Sequence, residues 1–294
     1  MPVNVSVILS TYNSPLWLEK VLWGYSRQSF RQFEIVIADD GSEAATARLI
    51  DEMRDKTGVA ITHVWHEDQG FRKCRILNKA ILQARHDYLL FSDGDCIPRD
   101  DFVGVHAAEA RPGHYLSGSY VKLPMSTSTA IGREDIESGR CFDVAWLRRN
   151  GLRGFSKRLK LGAGPKAAIL LNHLTTARCN FKGSNGSAWK KDVVAVNGFD
   201  ERMHWGGEDR EFGVRLINRG IKPKHVRYNA VVIHLDHARG YVDPERVKIN
   251  KALRLSSERN GVTCTDYGLS QLSGSTPEAA AESDHVIRTP NAPG

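Results

Sequence analysis

Two acids separated by one glycine, Asp93 and Asp95, follow directly on the apolar run Tyr88, Leu89, Leu90 and Phe91. Asp and Gly are turn residues, and a strand has to end, so a plain turn accounts for them. A metal site accounts for them too. In an extended Asp-x-Asp the side chains at i and i+2 project to the same side, and hard carboxylate oxygens suit Mg²⁺ or Mn²⁺ held against a phosphate. A second acid pair, Glu208 and Asp209, opens a helical stretch directly after Trp205, Gly206 and Gly207. Acids favour the positive end of a helix dipole whatever their function. His234 ends a late apolar run, with His237 three residues further on. Such a histidine is either satisfied structurally or a metal ligand.

The elements that must position these groups are read from periodicity. Val5–Leu9 is a buried strand ending in Ser10, Thr11 and Asn13, and Pro15 suits the first turn of a following helix with Ser14 as its cap. Leu18, Val21, Leu22 and Tyr25 fall at helical spacing. "FEIVIADDGS" predicts a second strand ending in Asp39 and Asp40, "VAITHVWHE" a third followed by Asp68, and "DYLLFSD" a fourth. Between them Leu49, Ile50 and Met53, then Ile76, Leu77, Ala80, Ile81 and Ala84, mark helices. Alternating strands and helices predict a mostly parallel α/β sheet, in which ligands bind at the carboxyl ends of the strands. Several acids therefore meet at one rim, an arrangement that is costly unless a cation neutralises it. Further on, "GHYLSGSYVKL" predicts a strand, residues 127–174 are irregular or helical, a helix runs from Glu208 to Gly220 with Phe212, Leu216 and Ile217 inward, and "YNAVVIHLDH" predicts another strand. Trp17, Trp23 and Trp65 are expected in the core.

The chain has 294 residues and a net charge of +7. The five cysteines are odd in number and form no Cys-x-x-Cys pair, which argues against a disulfide framework or structural zinc and suits a reducing cytosol. No run is long enough to cross a membrane, and no leader is expected before the first strand. The basicity is local. Between Asp143 and Asp192 there is no acid, while the stretch holds eleven Lys and Arg residues. It has few aromatics, Trp146 and Phe155 near its start, so nucleic acid is not an expected partner. An anionic membrane surface or a lipid-linked glycan is the favoured partner, a solvated basic face the plainer alternative.

Five segments occur in one order: "SVILSTYN", "EIVIADDGS", "DQGFRKCRILNKAI", "YLLFSDGDCIP" and "GFDERMHWGGEDREF". Together they resemble the family 2 inverting glycosyltransferases of GT-A fold, and "WGGED" resembles the corresponding galactosyltransferase motif. The resemblance covers about residues 3–265. It implies one Rossmann-like GT-A domain over 1–265 with a C-terminal extension: a nucleotide-binding half at 1–101 and an acceptor-binding half at 102–265 carrying the basic insertion at about 144–191. Residues 266–294 are expected to be a disordered tail.

The resemblance also implies roles. Thr11, Asn13 and Asp40 would line the nucleoside pocket, Asp68 and Arg72 would lie beside base and ribose, and Asp93 and Gly94 would face the ribose and sugar. Asp95, with Asp93 and His234, would bind Mn²⁺ or Mg²⁺, His237 being the alternative histidine. Asp209 would be the base and Glu208 would position the acceptor. Trp205, Gly206 and Gly207 would meet the acceptor, because glycines admit close backbone approach and an indole is a platform for a sugar ring. Arg75 and Asn78 depart from the usual spacing of that family, and Arg75 is given no role. The expected reaction moves a sugar from a nucleotide sugar, UDP-linked by resemblance, to a glycan or lipid-linked acceptor in cell-surface polysaccharide synthesis, in the cytoplasm or at the inner face of the cytoplasmic membrane. One rival is a nucleotidyltransferase, which needs a Gly- and Lys-rich phosphate loop where "STYNSPLW" stands. The other is a non-catalytic nucleotide-sugar-binding protein.

Overall fold

Every residue of the strand Val5–Thr11 (β1) is buried, as its unbroken apolar run requires when both faces are covered. β1 lies between Phe33–Asp39 (β2) and Tyr88–Asp93 (β4), parallel to both, and Ile61–His66 (β3) continues the parallel set beyond β2. In this computed structural model, residues 3–238, 243–273 and 285–288 are described. Helices Pro15–Ser26 (α1), Ala44–Thr57 (α2) and Lys73–Gln83 (α3) connect these strands. Because side chains alternate along a strand, Val5, Val7 and Leu9 pack with Leu18, Val21, Leu22 and Tyr25 of α1 on one side. Ile8, Val36 and Ala38 pack with Ile76, Leu77, Ala80 and Ile81 of α3 on the other. Ser14 stands at the N-cap of α1 without a side-chain bond, and Pro15 opens the helix as expected.

The second half adds strands Cys96–Pro98 (β5), His114–Ser117 (β6), Ser119–Lys122 (β7), Gly186–Trp189 (β8), Lys222–His225 (β9) and Val231–His234 (β10), and a last strand His285–Arg288 (β11). Its helices are Phe102–Glu109 (α4), Met125–Ala130 (α5), Arg133–Glu137 (α6), Val144–Arg149 (α7), Phe155–Gly162 (α8), Pro165–Leu174 (α9), Lys190–Ala195 (α10), Glu208–Asn218 (α11), Pro244–Arg259 (α12) and Ser270–Ser273 (α13). The main sheet runs β11-β3-β2-β1-β4-β8-β6-β9, and a small sheet runs β5-β10-β7. β8 is antiparallel to β4 and β6. In the small sheet His234 lies opposite Cys96, which brings the end of β10 to the turn after β4.

Several expectations change. The stretch expected as one strand over 113–123 is two strands in different sheets. They part at Gly118, where a Cβ would sit 2.1 Å from Oδ1 of the buried Asn185. Ile217 is exposed rather than inward, and of the three tryptophans expected in the core only Trp23 is fully buried. The tail is not structureless where it is described: Leu269 is buried, α13 follows, and β11 pairs antiparallel with β3. The rest of that expected tail, 274–284 and 289–294, lies outside the described residues. The basic segment is not uniformly available either. Lys157 donates to the Lys122 carbonyl at 2.8 Å, Lys160 to that of Tyr120 at 3.3 Å, and Arg178 pairs with Glu258 at 2.7 Å. Among the described residues no helix is long and apolar enough to cross a membrane.

Candidate active site

A cleft of about 830 Å³ opens at the carboxyl ends of β1, β2 and β4 and is closed opposite by residues 205–210 and α12. Of the residues expected at the site, Thr11, Asp40, Asp93, Gly94, Asp95, Trp205, Gly206, Gly207, Glu208, Asp209 and His234 line it. Asn13, Asp68 and Arg72 stand at its edge, holding loops. Asn13, at φ +44°, donates its N–H to Ser42 Oγ and accepts from the Glu43 N–H, both at 2.8 Å. Asp68 accepts from the Tyr12 hydroxyl and the Gly70 N–H, each at 2.9 Å. Arg72 donates its backbone N–H to Asp40 at 3.0 Å and its guanidinium to the Glu67 carbonyl at 2.8 Å.

Asp93 and Asp95 do not share an extended strand. Asp93 ends β4, while Gly94 and Asp95 form a turn, pinned by the Gly94 N–H on the Ser10 carbonyl at 2.7 Å. A Cβ at Gly94 would lie 3.0 Å from that carbonyl. Asp93, expected as a ligand beside Asp95, still has a carboxylate oxygen within 4.8 Å of ligand atoms of Asp95 and Cys96, but the turn gives the two acids different neighbours. Asp93 Oδ1 accepts from Lys73 Nζ at 2.8 Å and from Ser10 Oγ at 2.7 Å. Burial alone would raise its carboxyl, but the Lys73 charge and these hydrogen bonds outweigh burial and hold it below its usual value.

Asp95 faces histidines. Its Oδ2 lies 3.0 Å from His237 Nε2 and 3.7 Å from His234 Nε2, and ligand atoms of all three residues lie within 4.8 Å of one another. Nδ1 of His234 is 2.6 Å from the Leu235 carbonyl, and Nδ1 of His237 is 2.8 Å from that of Ala238. A carbonyl can only accept, so each Nδ1 carries the proton, and a neutral ring then turns its Nε2 lone pair toward Asp95. With Nε2 unprotonated, these two rings and the carboxylate could hold a divalent cation, their tautomers fixed from behind. Cys96 forms a neighbouring group with Asp93 and Asp95; burial first, then Asp95 and Asp93, push its thiol well above its usual value.

The opposite wall carries the second acid pair at the N-terminus of α11. Gly206 and Gly207 both have φ near +100°, a conformation open to glycine, and Gly206 also packs against Val247 of α12. The loop is held from behind by Asn250, nearly fully buried, whose Nδ2 donates to the carbonyls of His204, Trp205 and Gly206 at 2.7, 3.2 and 3.2 Å. Glu208 accepts from the Gly206 N–H at 3.0 Å and Asp209 from the Gly183 N–H at 3.2 Å. Burial and the neighbouring Asp209 charge push Glu208 up to about 7, against the pull of Lys73 and two backbone N–H groups. Lys73 thus serves both walls. The charges of Asp93, Glu208 and Asp95 raise its ammonium above the usual lysine value although burial opposes them.

Behind the rim, His66 Nε2 lies 2.8 Å from Asp40 and His63 Nε2 2.9 Å from Asp39. Burial raises the Asp40 carboxyl more than His66 and Arg72 lower it. Lys73 and Asn250 were missed by sequence reasoning. Lys73 sat within a quoted motif, a base at the head of a helix facing an acid rim, and that was a usable signal. Asn250 gave none, being 44 residues or more from the loop it holds. Arg75 pairs with Glu201 at 3.0 Å and Asn78 donates to the Phe199 carbonyl at 2.8 Å, which gives both a packing role.

Residues 6–159 match the sequence profile of glycosyl transferase family 2, and residues 170–238 match that of the N-terminal domain of galactosyltransferase. The chain is 26% identical over 230 residues to a hyaluronan synthase of Pasteurella multocida, covering 74% of this chain and 23% of that protein. It is 28% identical over 242 residues to a validoxylamine A glucosyltransferase of Streptomyces hygroscopicus subsp. jinggangensis, covering 80% and 56%. It therefore spans 23% and 56% of these two relatives. Among solved structures, S. aureus TarS 1–349 in complex with UDP-GlcNAc superimposes with a TM-score of 0.60 at 17% identity, covering 91% of this chain and 69% of that one. The mannosyltransferase PcManGT from Pyrobaculum calidifontis, in complex with GDP-Man and Mn²⁺, gives 0.55 at 17%, covering 96% and 79%. These likenesses establish the GT-A fold. With the first profile spanning more than half of its residues and the second the part that carries the Trp-Gly-Gly-Glu-Asp loop, the chain belongs to glycosyl transferase family 2.

Proposed function

We propose that the chain transfers a sugar from a nucleotide sugar, UDP being the nucleotide, to a hydroxyl of a glycan or lipid-linked acceptor with inversion at the transferred carbon. The reading extends to cell-surface polysaccharide synthesis at the cytoplasmic face of a membrane, with the basic segment toward an anionic surface. The observation that carries it is the pairing of walls: Asp95, His234 and His237 on one side of the cleft, Glu208 and Asp209 on the other, and Lys73 between them.

In this reading Asp95, His234 and His237 hold Mn²⁺ or Mg²⁺, and a bound cation supplies charge neutralisation for the departing diphosphate. Thr11 and Asp40 take the nucleoside, with Asn13, Asp68 and Arg72 shaping the loops around it. Asp93, Gly94 and Lys73 form the floor under the ribose and sugar, with Lys73 adding positive charge where the leaving group gathers negative charge. Trp205 and the two glycines seat the acceptor. Asp209 accepts the acceptor hydroxyl proton as the new carbon–oxygen bond forms and the bond to the diphosphate breaks, its electron pair leaving with UDP. Glu208, protonated or ionised near neutrality, orients the acceptor.

One observation favours a second reading in which Glu208 is the base. Its value of about 7 is matched to proton abstraction at neutral pH. The experiment is a panel of UDP- and GDP-sugars with Mn²⁺, Mg²⁺ or chelator, read as nucleotide release and product, with Asp209→Asn and Glu208→Gln in parallel. Cation-dependent release from a UDP-sugar is expected. Loss of ~10²–10⁴ in kcat is expected for Asp209→Asn with donor binding kept, and chiefly raised acceptor KM for Glu208→Gln. The reverse pattern makes Glu208 the base, and no turnover with any donor rejects the transferase reading.

A further inference from the structure

Four arginines, Arg148, Arg149, Arg153 and Arg158, line a second cavity of about 510 Å³ together with residues of the 151–154 loop. The cavity is formed by the end of α7, the loop and α8, on the basic segment that holds no acid between Asp143 and Asp192. Among the described residues none of the four joins an ion pair, although other arginines of this half do, such as Arg133 with Glu137 and Arg178 with Glu258, both at 2.7 Å. Four like charges around one cavity repel one another, so the arrangement is most stable when an anion fills it. Guanidinium groups recognise phosphate bidentately. At about 30 Å³ for each water, the space exceeds a single small ion.

Beside the cavity stands an exposed aromatic: Phe155, next to the loop, is 72% exposed, and Arg158 lies over its ring at 5.7 Å from the centroid. An exposed aromatic among cations without ion pairs is what a basic segment at a membrane interface presents.

We infer that the arginine cavity binds the phosphate of a lipid headgroup, with Phe155 entering the adjoining interface. This deepens the reading of the basic segment as facing an anionic surface and needs nothing of the transfer chemistry.

The test is flotation of the full chain with phosphatidylglycerol/phosphatidylcholine vesicles and with phosphatidylcholine alone, beside titration with inorganic pyrophosphate. Binding to the anionic vesicles alone, weakened by salt, is expected. Arg149→Gln, Arg153→Gln and Arg158→Gln combined should weaken it on the order of 100-fold, while the matching triple Lys variant keeps most of it. Nucleotide release in vesicle-free solution and the melting temperature should not change in either. Single Arg153→Glu, at an exposed loop position, gives the same reading should the triple variant melt early. If the parent floats and the triple Gln variant floats equally, the cavity assignment is wrong and the surface reading stands. If the parent does not float, both fail, while the transferase reading is untouched. Arginine-dependent pyrophosphate binding without flotation would make the ligand a soluble phosphate and overturn the lipid assignment.

Discussion

The two walls of the cleft are built on opposite principles. On the strand-end wall the acids already have partners: Asp39 with His63, Asp40 with His66 and the Arg72 N–H, Asp93 with Lys73 and Ser10. On the helix wall, Glu208 has backbone N–H groups but no side-chain partner of its own; burial and the charge of Asp209 outweigh them, and its carboxyl rises to about 7. A partnered acid is fixed in place and in charge, which suits binding. An under-partnered acid can change its protonation near neutrality, which suits work on protons. Lys73 links the two, bonded to Asp93 and acting by its charge on Glu208.

Breaking that link has the largest expected effect. Lys73→Met leaves the part-buried Asp93 without its counter-charge and removes the cation that restrains Glu208. It should cost about 2–3 kcal/mol of stability, seen as a lower denaturant midpoint, and should abolish transfer. Lys73→Arg should recover much of the stability and little of the activity. A Lys73→Met protein as stable as the parent would show that the two walls are independent.

Loosening the helix wall alone is milder. Asn250→Ala removes donors to three loop carbonyls at the edge of the cleft. We expect acceptor KM to rise about tenfold, with donor affinity within a factor of two, since the strand-end wall is unchanged. An equal rise in both KM values would mean that the loop shapes the whole cleft.

The smallest effect sharpens the comparison through pH. Glu208 has a folded-state value above its usual 4.5. The stability it contributes is full below pH ~4.5 and is lost as pH rises through about 7. Glu208→Gln removes that penalty, of roughly 2–3 kcal/mol. The variant should therefore melt several degrees above the parent at pH 8 and close to it at pH 4.5. Asp93 has the opposite sign: its lowered value gives stability above its usual range that is lost on acidification. A Glu208→Gln curve parallel to the parent's across pH would contradict the raised carboxyl.

What was legible in the sequence follows from the range of each signal. β1 to β4, α1 and α3 are written locally in apolar spacing, and the strand ends announce the rim because a parallel sheet must bring them together. The acids of both walls were visible by type. The partition of Asp93 and Asp95 was not, because the turn at Gly94 depends on the Ser10 carbonyl of a different strand. The break at Gly118 depends in the same way on Asn185. His237 was left level with His234, and only the fold of β10 against β5 brings both rings to Asp95. Asn250 carries no local mark at all, since an asparagine in a helix declares neither its depth nor its partners.

The account stands most directly on the proposal that Asp95, His234 and His237 hold a cation. The measurement is Mn²⁺ titration by electron paramagnetic resonance, with UDP present, of the parent, Asp95→Ala and Asp209→Asn. We predict that Asp95→Ala weakens Mn²⁺ binding at least 100-fold, whereas Asp209→Asn binds it like the parent. Mn²⁺ bound with parental affinity by Asp95→Ala, or lost by Asp209→Asn, would contradict the division of the cleft into a cation-holding wall and a proton-handling wall.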